Sequence, residues 1–198
     1  MDKPDIRLLV GKTGSGKTSK ALRLVEDRTR LIMFDTTGHD YSDGVVFYDL
    51  PSLTAFWQRV YRRSFRLIYR PMDPRREFEE ICRLAFLCQD VTVIAEELTS
   101  LCDAQTIGPE LRKLIMRGRH VDVTFIGLMQ RPKGIHRDIT SQASEIYMFI
   151  VDEPGDVKYF SDRLPGREIE ERIKGLTEYQ YLQWRQHVPG LVIGKDQL

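Results

Sequence analysis

The sequence predicts an α/β fold: a mostly parallel central sheet flanked by helices, with a small β extension at the C-terminus. Three observations carry that expectation. Short apolar runs rich in strand formers alternate with helical segments from Ile6 to Val151, and strands separated by helices imply βαβ units. The first of those runs, Ile6 to Val10, leads through a glycine-rich loop into a helical segment. A later run, Val91 to Ala95, is apolar and β-branched and ends in two adjacent glutamates, as a buried central strand does when it delivers side chains to one sheet edge.

After the glycine-rich loop, Ser19 to Glu26 reads as a helix with Ala21, Leu22 and Val25 on one face. Arg30 to Asp35 reads as the second strand, residues 36–44 as a polar loop, and Val45 to Tyr48 as a short strand. Pro51 and Ser52 introduce a helix over Leu53 to Arg63. Phe65 to Arg70 follows as a strand stopped by Pro71. Pro74 to Cys88 has helical periodicity, with Phe78, Ile81, Cys82, Ala85 and Phe86 on one side. A helix is expected over Pro109 to Met116, opened by its proline. Val121 to Leu128 is the next strand, then a short helix over Ile135 to Ala143 and a strand over Glu145 to Val151. Tyr179 to Arg185 and Gly190 to Ile193 suggest a hairpin. With no repeat or linker, residues 1–198 read as one domain: a motif-bearing core over 6–151 and an extension over 152–198.

Composition narrows the function classes. With 41% hydrophobic and 30% charged residues, the chain reads as a soluble globular protein. The net charge of +1 gives no global attraction to nucleic acid, so any such site must be a local patch. No apolar run is long enough to span a membrane and no signal peptide opens the chain, so a cytoplasmic location is expected. Cys82, Cys88 and Cys102 lack zinc-ligand spacing and read as packing residues.

The loop itself, Gly11, Lys12, Thr13, Gly14, Ser15, Gly16, Lys17 and Thr18, fits G-x-x-x-x-G-K-[ST]. Its glycines free the backbone to turn successive N–H groups toward phosphate oxygens. Lys17 reaches β- and γ-phosphates and the Thr18 hydroxyl ligates Mg²⁺. Ser19 continues into a helix whose N-terminal end is positive. ATP and Mg²⁺ are therefore the expected ligands, with residues 11–19 as the cradle. At the end of the Val91 to Ala95 strand, two carboxylates can divide the work. Glu96 is assigned to the metal with Thr18, and Glu97 to polarising the attacking water.

The glutamate pair resembles the Walker B motif of additional-strand P-loop ATPases, where Asp-Glu is usual, so Glu96 departs from the pattern. Gly118 to Pro132 carries an Arg-His pair, a hydrophobic strand and a terminal Gln-Arg-Pro. That string, in the order loop, paired glutamates, glutamine, resembles the FtsK/HerA superfamily of DNA-pumping ATPases. The resemblance covers roughly Ile6 to Val151 and implies a RecA-like P-loop NTPase fold. It also implies ATP hydrolysis coupled to DNA translocation by a ring of identical subunits. The short chain favours the compact viral genome-packaging members, and with them duplex DNA and a capsid or portal-vertex protein as partners, possible virion association included. Carried over by position, Gln130 is the polar sensor of the γ-phosphate. Arg117, Arg119 and Arg131 are candidates for a finger donated to a neighbouring subunit, and Arg119 is favoured because it precedes the core strand on the side away from its own nucleotide. His120 reads as structural. Arginines and aromatics between Arg59 and Arg76 form one candidate DNA surface, and Arg131, Lys133, His136 and Arg137 form another. Two other classes stay open: a small-metabolite phosphotransferase, and an assembly or secretion ATPase that moves protein.

Overall fold

The computed structural model describes residues 6–38, 41–164 and 169–196. Positions 39–40 of the expected 36–44 loop, the residues before Ile6, and residues 165–168 and 197–198 of the expected single domain lie outside them. In chain order the elements are β1 (Ile6–Val10), α1 (Lys17–Leu24), β2 (Arg30–Phe34), β3 (Val45–Phe47), α2 (Leu50–Val60), β4 (Phe65–Tyr69), α3 (Pro74–Cys88), β5 (Val91–Ala95), α4 (Leu98–Leu101), α5 (Pro109–Arg117), β6 (Val123–Met129), α6 (Arg137–Ser141), β7 (Glu145–Met148), α7 (Pro154–Arg163), α8 (Ile169–Lys174), β8 (Gln180–Arg185) and β9 (Leu191–Lys195).

The described strands form one nine-stranded sheet in the order β3-β4-β2-β5-β6-β1-β7-β8-β9. β1 to β7 run parallel, and β8 and β9 add an antiparallel hairpin to the β7 edge. β6 lies between β1 and β5, so an additional strand separates the glycine loop from the paired glutamates. The expected parallel sheet and C-terminal β extension are both present.

Alternation along the strands sorts the core into two layers. Leu8 and Val10 of β1 face a layer that takes in Leu53 and Trp57 of α2, Phe78 and Ile81 of α3, Leu111 of α5 and Phe160 of α7. Leu9 faces the other layer, with Ala21 of α1, Met33, Ile68, Ile94 and Ile126. Helix α1 covers that second face together with Tyr41 and the ring of Tyr181.

Helix ends depart from the sequence expectation for local reasons. α2 begins at Leu50 because the Asp49 side chain accepts from Ser52 N at 2.8 Å, which puts Pro51 inside the first turn. β6 starts at Val123, two residues late, because residues 118–121 form a 3₁₀ turn and Asp122 is left-handed at φ +57°. The helix expected over 135–143 is shorter: a 3₁₀ turn at Pro132–Gly134 precedes it, and α6 covers only Arg137–Ser141, its first turn capped by His136 Nδ1 accepting from Asp138 N. β7 ends at Met148, three residues early.

Two side chains fasten helix ends from other elements. Arg30 donates to the carbonyls of Tyr61, Arg63, Gln89 and Asp90 at 2.6–3.1 Å, a cation at the C-terminal ends of α2 and α3. Glu79 on α3 accepts from Glu110 N and Leu111 N, capping α5 from another helix.

Candidate functional site

The loop after β1 is fixed at both ends by the sheet. Gly11 N donates to Met129 O at 3.2 Å and Lys12 N to Ile150 O at 2.8 Å, so the turn is stitched to the ends of β6 and β7. A Cβ on Gly11 would lie 2.6 Å from Phe149 Cβ, so only glycine fits. Gly14 and Gly16 take φ of +76° and +102°, the left-handed geometry that turns N–H groups inward. Lys17, 8% exposed, donates from Nζ to the carbonyls of Gly11 and Lys12 at 2.9 Å each. Its ammonium is thus folded over the loop that α1 caps.

Chain segments far apart in sequence converge here. Thr18 Oγ1 donates to Glu96 Oε1 at 3.1 Å across 78 positions. Glu96 is 4% exposed and also accepts from the Tyr41 hydroxyl at 2.6 Å. Glu97 leaves the strand with φ +46° and accepts from Gln130 Nε2 at 2.9 Å. Thr18, Glu96, Glu97 and Gln130 are therefore one connected group at the carboxyl edge of β1, β5 and β6, where open α/β sheets bind ligands. An open cleft of ≈ 460 Å³ runs along the loop, lined by Gly14, Lys17, Thr18, Thr37, Glu96 and Tyr179.

The expected ligands fit the donors present. Open space above Gly14 and the inward-turned backbone suit a polyphosphate. Among the described residues no group of three or more His, Cys, Asp or Glu forms a metal cage. A hydroxyl and one carboxylate suit Mg²⁺, which keeps waters and phosphate oxygens in its shell.

The sequence did not reveal the support behind Glu96. Tyr41 O accepts from Arg70 Nη2 at 3.1 Å, and Arg70 Nε meets Asp35 Oδ2 at 3.0 Å. Asp35 Oδ1 also accepts from Thr37 Oγ1 at 2.8 Å and Gly38 N at 2.9 Å, so this buried carboxyl shapes the loop after β2. Tyr48 and Asp35 raise the pKa of the Arg70 guanidinium. The contacts of Arg70 with Tyr41 and Asp35 join segments 29 and 35 positions apart, so no local spacing signals them. Tyr179 beside Gly16 was missed for the same reason.

The finger candidates divide between the two sheet edges. Arg119 is exposed in the 3₁₀ turn before β6 and lines a cleft with Ile6 and Val123, where β1 and β6 begin. The five residues of β1 separate that edge from the glycine loop, roughly 15 Å of strand. Arg117 and His120 are exposed at the same edge. Arg131 follows Gln130 at the other edge, and its guanidinium holds Asp156 of α7 at 3.2 Å.

The basic and aromatic stretch from Arg59 to Arg76 does not form one surface. Phe65 and Tyr69 are buried, Arg66 and Arg70 pair with Asp43 and Asp35, and Arg75 pairs with Asp103. Strand alternation sends its rings into the core, where Trp57 packs on Phe65 and Phe34 on Tyr69. Past Gln130, Lys133 and Arg137 are exposed, and Lys133 lines a cleft with Glu97, Thr99 and Gln130. Among the described residues no helix is long and apolar enough to cross a membrane.

No protein-family model and no curated protein matches the sequence. Solved structures do. The genome-packaging NTPase B204 of Sulfolobus turreted icosahedral virus 2, with ATP-gammaS, superposes with a TM-score of 0.82 at 21% identity over 100% of both chains. The DNA-packaging ATPase B204 of Sulfolobus turreted icosahedral virus superposes at 0.75 and 18% identity, again over 100% of both. VirB4 of Thermoanaerobacter pseudethanolicus matches at 0.66 and 11% identity, over 97% of this chain and 89% of that one. At these identities the likeness is one of fold, and the chain has the fold of a P-loop NTPase such as the viral B204 proteins.

Proposed function

We propose that this chain is a Mg-ATP-dependent DNA translocase subunit of a ring-shaped viral genome-packaging motor. The observation that carries the reading is the convergence of Thr18 with Glu96 and of Gln130 with Glu97 beside Lys17. The likeness to B204 over its full length supports the packaging role. Bound Mg²⁺ would supply charge neutralisation at the phosphates, held by Thr18 and Glu96. Lys17 carries positive charge to the β- and γ-phosphates when a nucleotide replaces the loop carbonyls as its partner. Glu97 takes the proton of the attacking water. Gln130 orients that carboxylate through its amide and so reports whether a γ-phosphate is present.

Arg119 sits too far from its own loop to serve it and is the finger for a neighbouring subunit. The loop after Gln130 carries Lys133 and Arg137 to DNA phosphates. Glu97, Thr99, Gln130, Lys133 and Gly134 line one cleft, so a change at Glu97 acts on a space that this loop shares.

The deciding experiment measures ATP hydrolysis with and without duplex DNA, together with oligomeric mass at the same concentration. DNA-stimulated turnover by an assembled ring is expected. Hydrolysis indifferent to DNA but dependent on a protein partner would favour an assembly ATPase. Transfer to a small acceptor would make it a phosphotransferase.

A further inference from the structure

Tyr179 stands where the C-terminal hairpin meets the glycine loop. It is a half-exposed aromatic residue in the left-handed region, φ +61°, and it lines the cleft with Gly16, Thr18 and Ser19. That backbone conformation costs a non-glycine residue free energy, and such outliers persist where the surroundings hold them for a purpose. Its ring lies on the loop itself: a Cβ on Gly16 would meet Tyr179 Cδ1 at 3.1 Å.

A chain of contacts holds it there. Gln180 N donates to Thr177 O at 3.0 Å, and the Gln180 side chain accepts from Thr177 N at 2.9 Å, closing the turn that carries Tyr179. Tyr179 O accepts from Asp196 N at 3.1 Å. The Asp196 carboxyl, almost buried, meets Lys20 Nζ at 3.5 Å and Arg23 Nη1 at 3.2 Å. Lys20 also donates to the Tyr181 hydroxyl at 2.7 Å and lies over its ring. Lys20 and Arg23 belong to α1, the helix that the loop opens. The hairpin is therefore clamped to the phosphate-loop helix, and the clamp presents one aromatic face beside Ser19.

We propose that Tyr179 is the platform on which the nucleobase stacks, which makes the C-terminal hairpin part of the nucleotide site. The inference rests on the reading of residues 11–19 as a nucleotide cradle. A triphosphate seated in the loop leaves its nucleoside at the cleft end, beyond Thr18. An aromatic face there has the chemistry to take a base, because every base offers a π-face. Stacking reads that face and not the hydrogen-bonding edge, so it selects nucleosides over bare polyphosphate more than one base over another.

The test compares ATPγS with inorganic tripolyphosphate by calorimetric titration of the full chain. For Tyr179→Gly, which accepts φ +61° without strain, ATPγS affinity is expected to fall about tenfold, and tripolyphosphate affinity to stay put. Tyr179→Phe keeps the ring and is expected to bind both as the wild type does. Unchanged ATPγS affinity in Tyr179→Gly overturns the proposal. So does an equal loss for both probes, which would make the ring a prop for the loop, and so does a loss in Tyr179→Phe as large as in the glycine variant. If Tyr179→Gly does not fold, Tyr179→Trp carries the test. Its emission is expected to be quenched by ATPγS and not by tripolyphosphate, and equal or no quenching overturns stacking. A wild type that binds neither probe overturns the nucleotide reading itself, a result distinct from the failure of Tyr179 alone.

Discussion

Glu96 Oε1 accepts from the Tyr41 hydroxyl at 2.6 Å and from Thr18 Oγ1 at 3.1 Å. One carboxyl oxygen is thus gripped from the glycine loop on one side and from the loop after β2 on the other. For the metal role proposed for Glu96, the consequence is a rotamer fixed before a metal arrives. Tyr41→Phe removes the hydroxyl and leaves the ring in the core. Hydrogen bonds to charged groups contribute about 1.5–3 kcal/mol, so the Mg²⁺ concentration for half-maximal hydrolysis is expected to rise roughly tenfold or more. The ATP KM at saturating Mg²⁺ should stay near that of the wild type. A magnesium titration of initial rates checks this, and an unchanged midpoint would remove Tyr41 from the site.

Gln130 and Glu97 share the second bond of the site, at 2.9 Å. Glu97→Gln keeps the shape and removes the proposed base, so turnover is expected to fall at least about a hundredfold while ATP is still bound. Gln130→Ala frees the Glu97 side chain without removing it, and a smaller fall of about tenfold is expected. Single-turnover hydrolysis and nucleotide binding, measured side by side, separate the two. Loss of binding in Glu97→Gln would mean that Glu97 holds the nucleotide and does not act on water.

How far the sequence reached follows from which contacts are local. The glycine loop, Lys17 and Thr18 occupy one short stretch, so spacing alone placed them. Glu96 and Glu97 were legible because an apolar strand has to end at a sheet edge, and Gln130 because the string from Gly118 to Pro132 carries a family resemblance. Tyr41 lies 55 positions from Glu96, and Tyr179 lies in the hairpin far from Gly16, so nothing in either neighbourhood points to its partner. Glu79 capping α5 is the same case. In the stretch from Arg59 to Arg76 composition ignores direction: strand alternation turned Phe65 and Tyr69 inward, and carboxylates on other segments took up Arg66, Arg70 and Arg75, while Arg59, Arg62, Arg63 and Arg76 stay exposed.

Arg70 joins the β2 loop to the site. Asp35 has no exposed side-chain surface, and Arg70 is its cationic partner. Arg70→Ala leaves that carboxyl buried and also frees Tyr41 O, so it should cost both stability and order. A fall of several degrees in Tm is expected, with a magnesium dependence shifted in the same direction as in Tyr41→Phe. A variant that melts like the wild type would show that Asp35 is held well enough by Thr37 and Gly38.

The three thiols give a pH signature of the core. Burial pushes Cys82 well above its ordinary pKa, and burial raises Cys102 and Cys88 as well. A raised pKa keeps the thiol protonated, so little thiolate exists near neutrality. Slow labelling by a thiol reagent is expected in the native state, led by the half-buried Cys88 and quickening as pH rises. The linkage has the matching sign: stability from the protonated thiols is fully present below their unfolded pKa and is lost as pH rises through the folded one. Native labelling of Cys82 as fast as in denaturant would contradict its burial on the inner face of α3.

Arg119 and Glu97 lie at opposite edges of the sheet, and that separation makes the finger testable by mixing. If Arg119 completes a neighbour's site, Arg119→Ala subunits still hold an intact Glu97, and Glu97→Gln subunits still donate an intact Arg119. Each variant alone should be inactive. In a one-to-one mixture, every junction that sets an Arg119→Ala site against a Glu97→Gln neighbour regains both groups. Random assembly into a closed ring then makes about a quarter of the junctions competent, and turnover should recover toward that fraction. An arginine acting within its own subunit restores nothing on mixing, because no single chain in the mixture carries both residues. Recovery with Arg131→Ala in place of Arg119→Ala would instead assign the finger to the arginine that now holds Asp156.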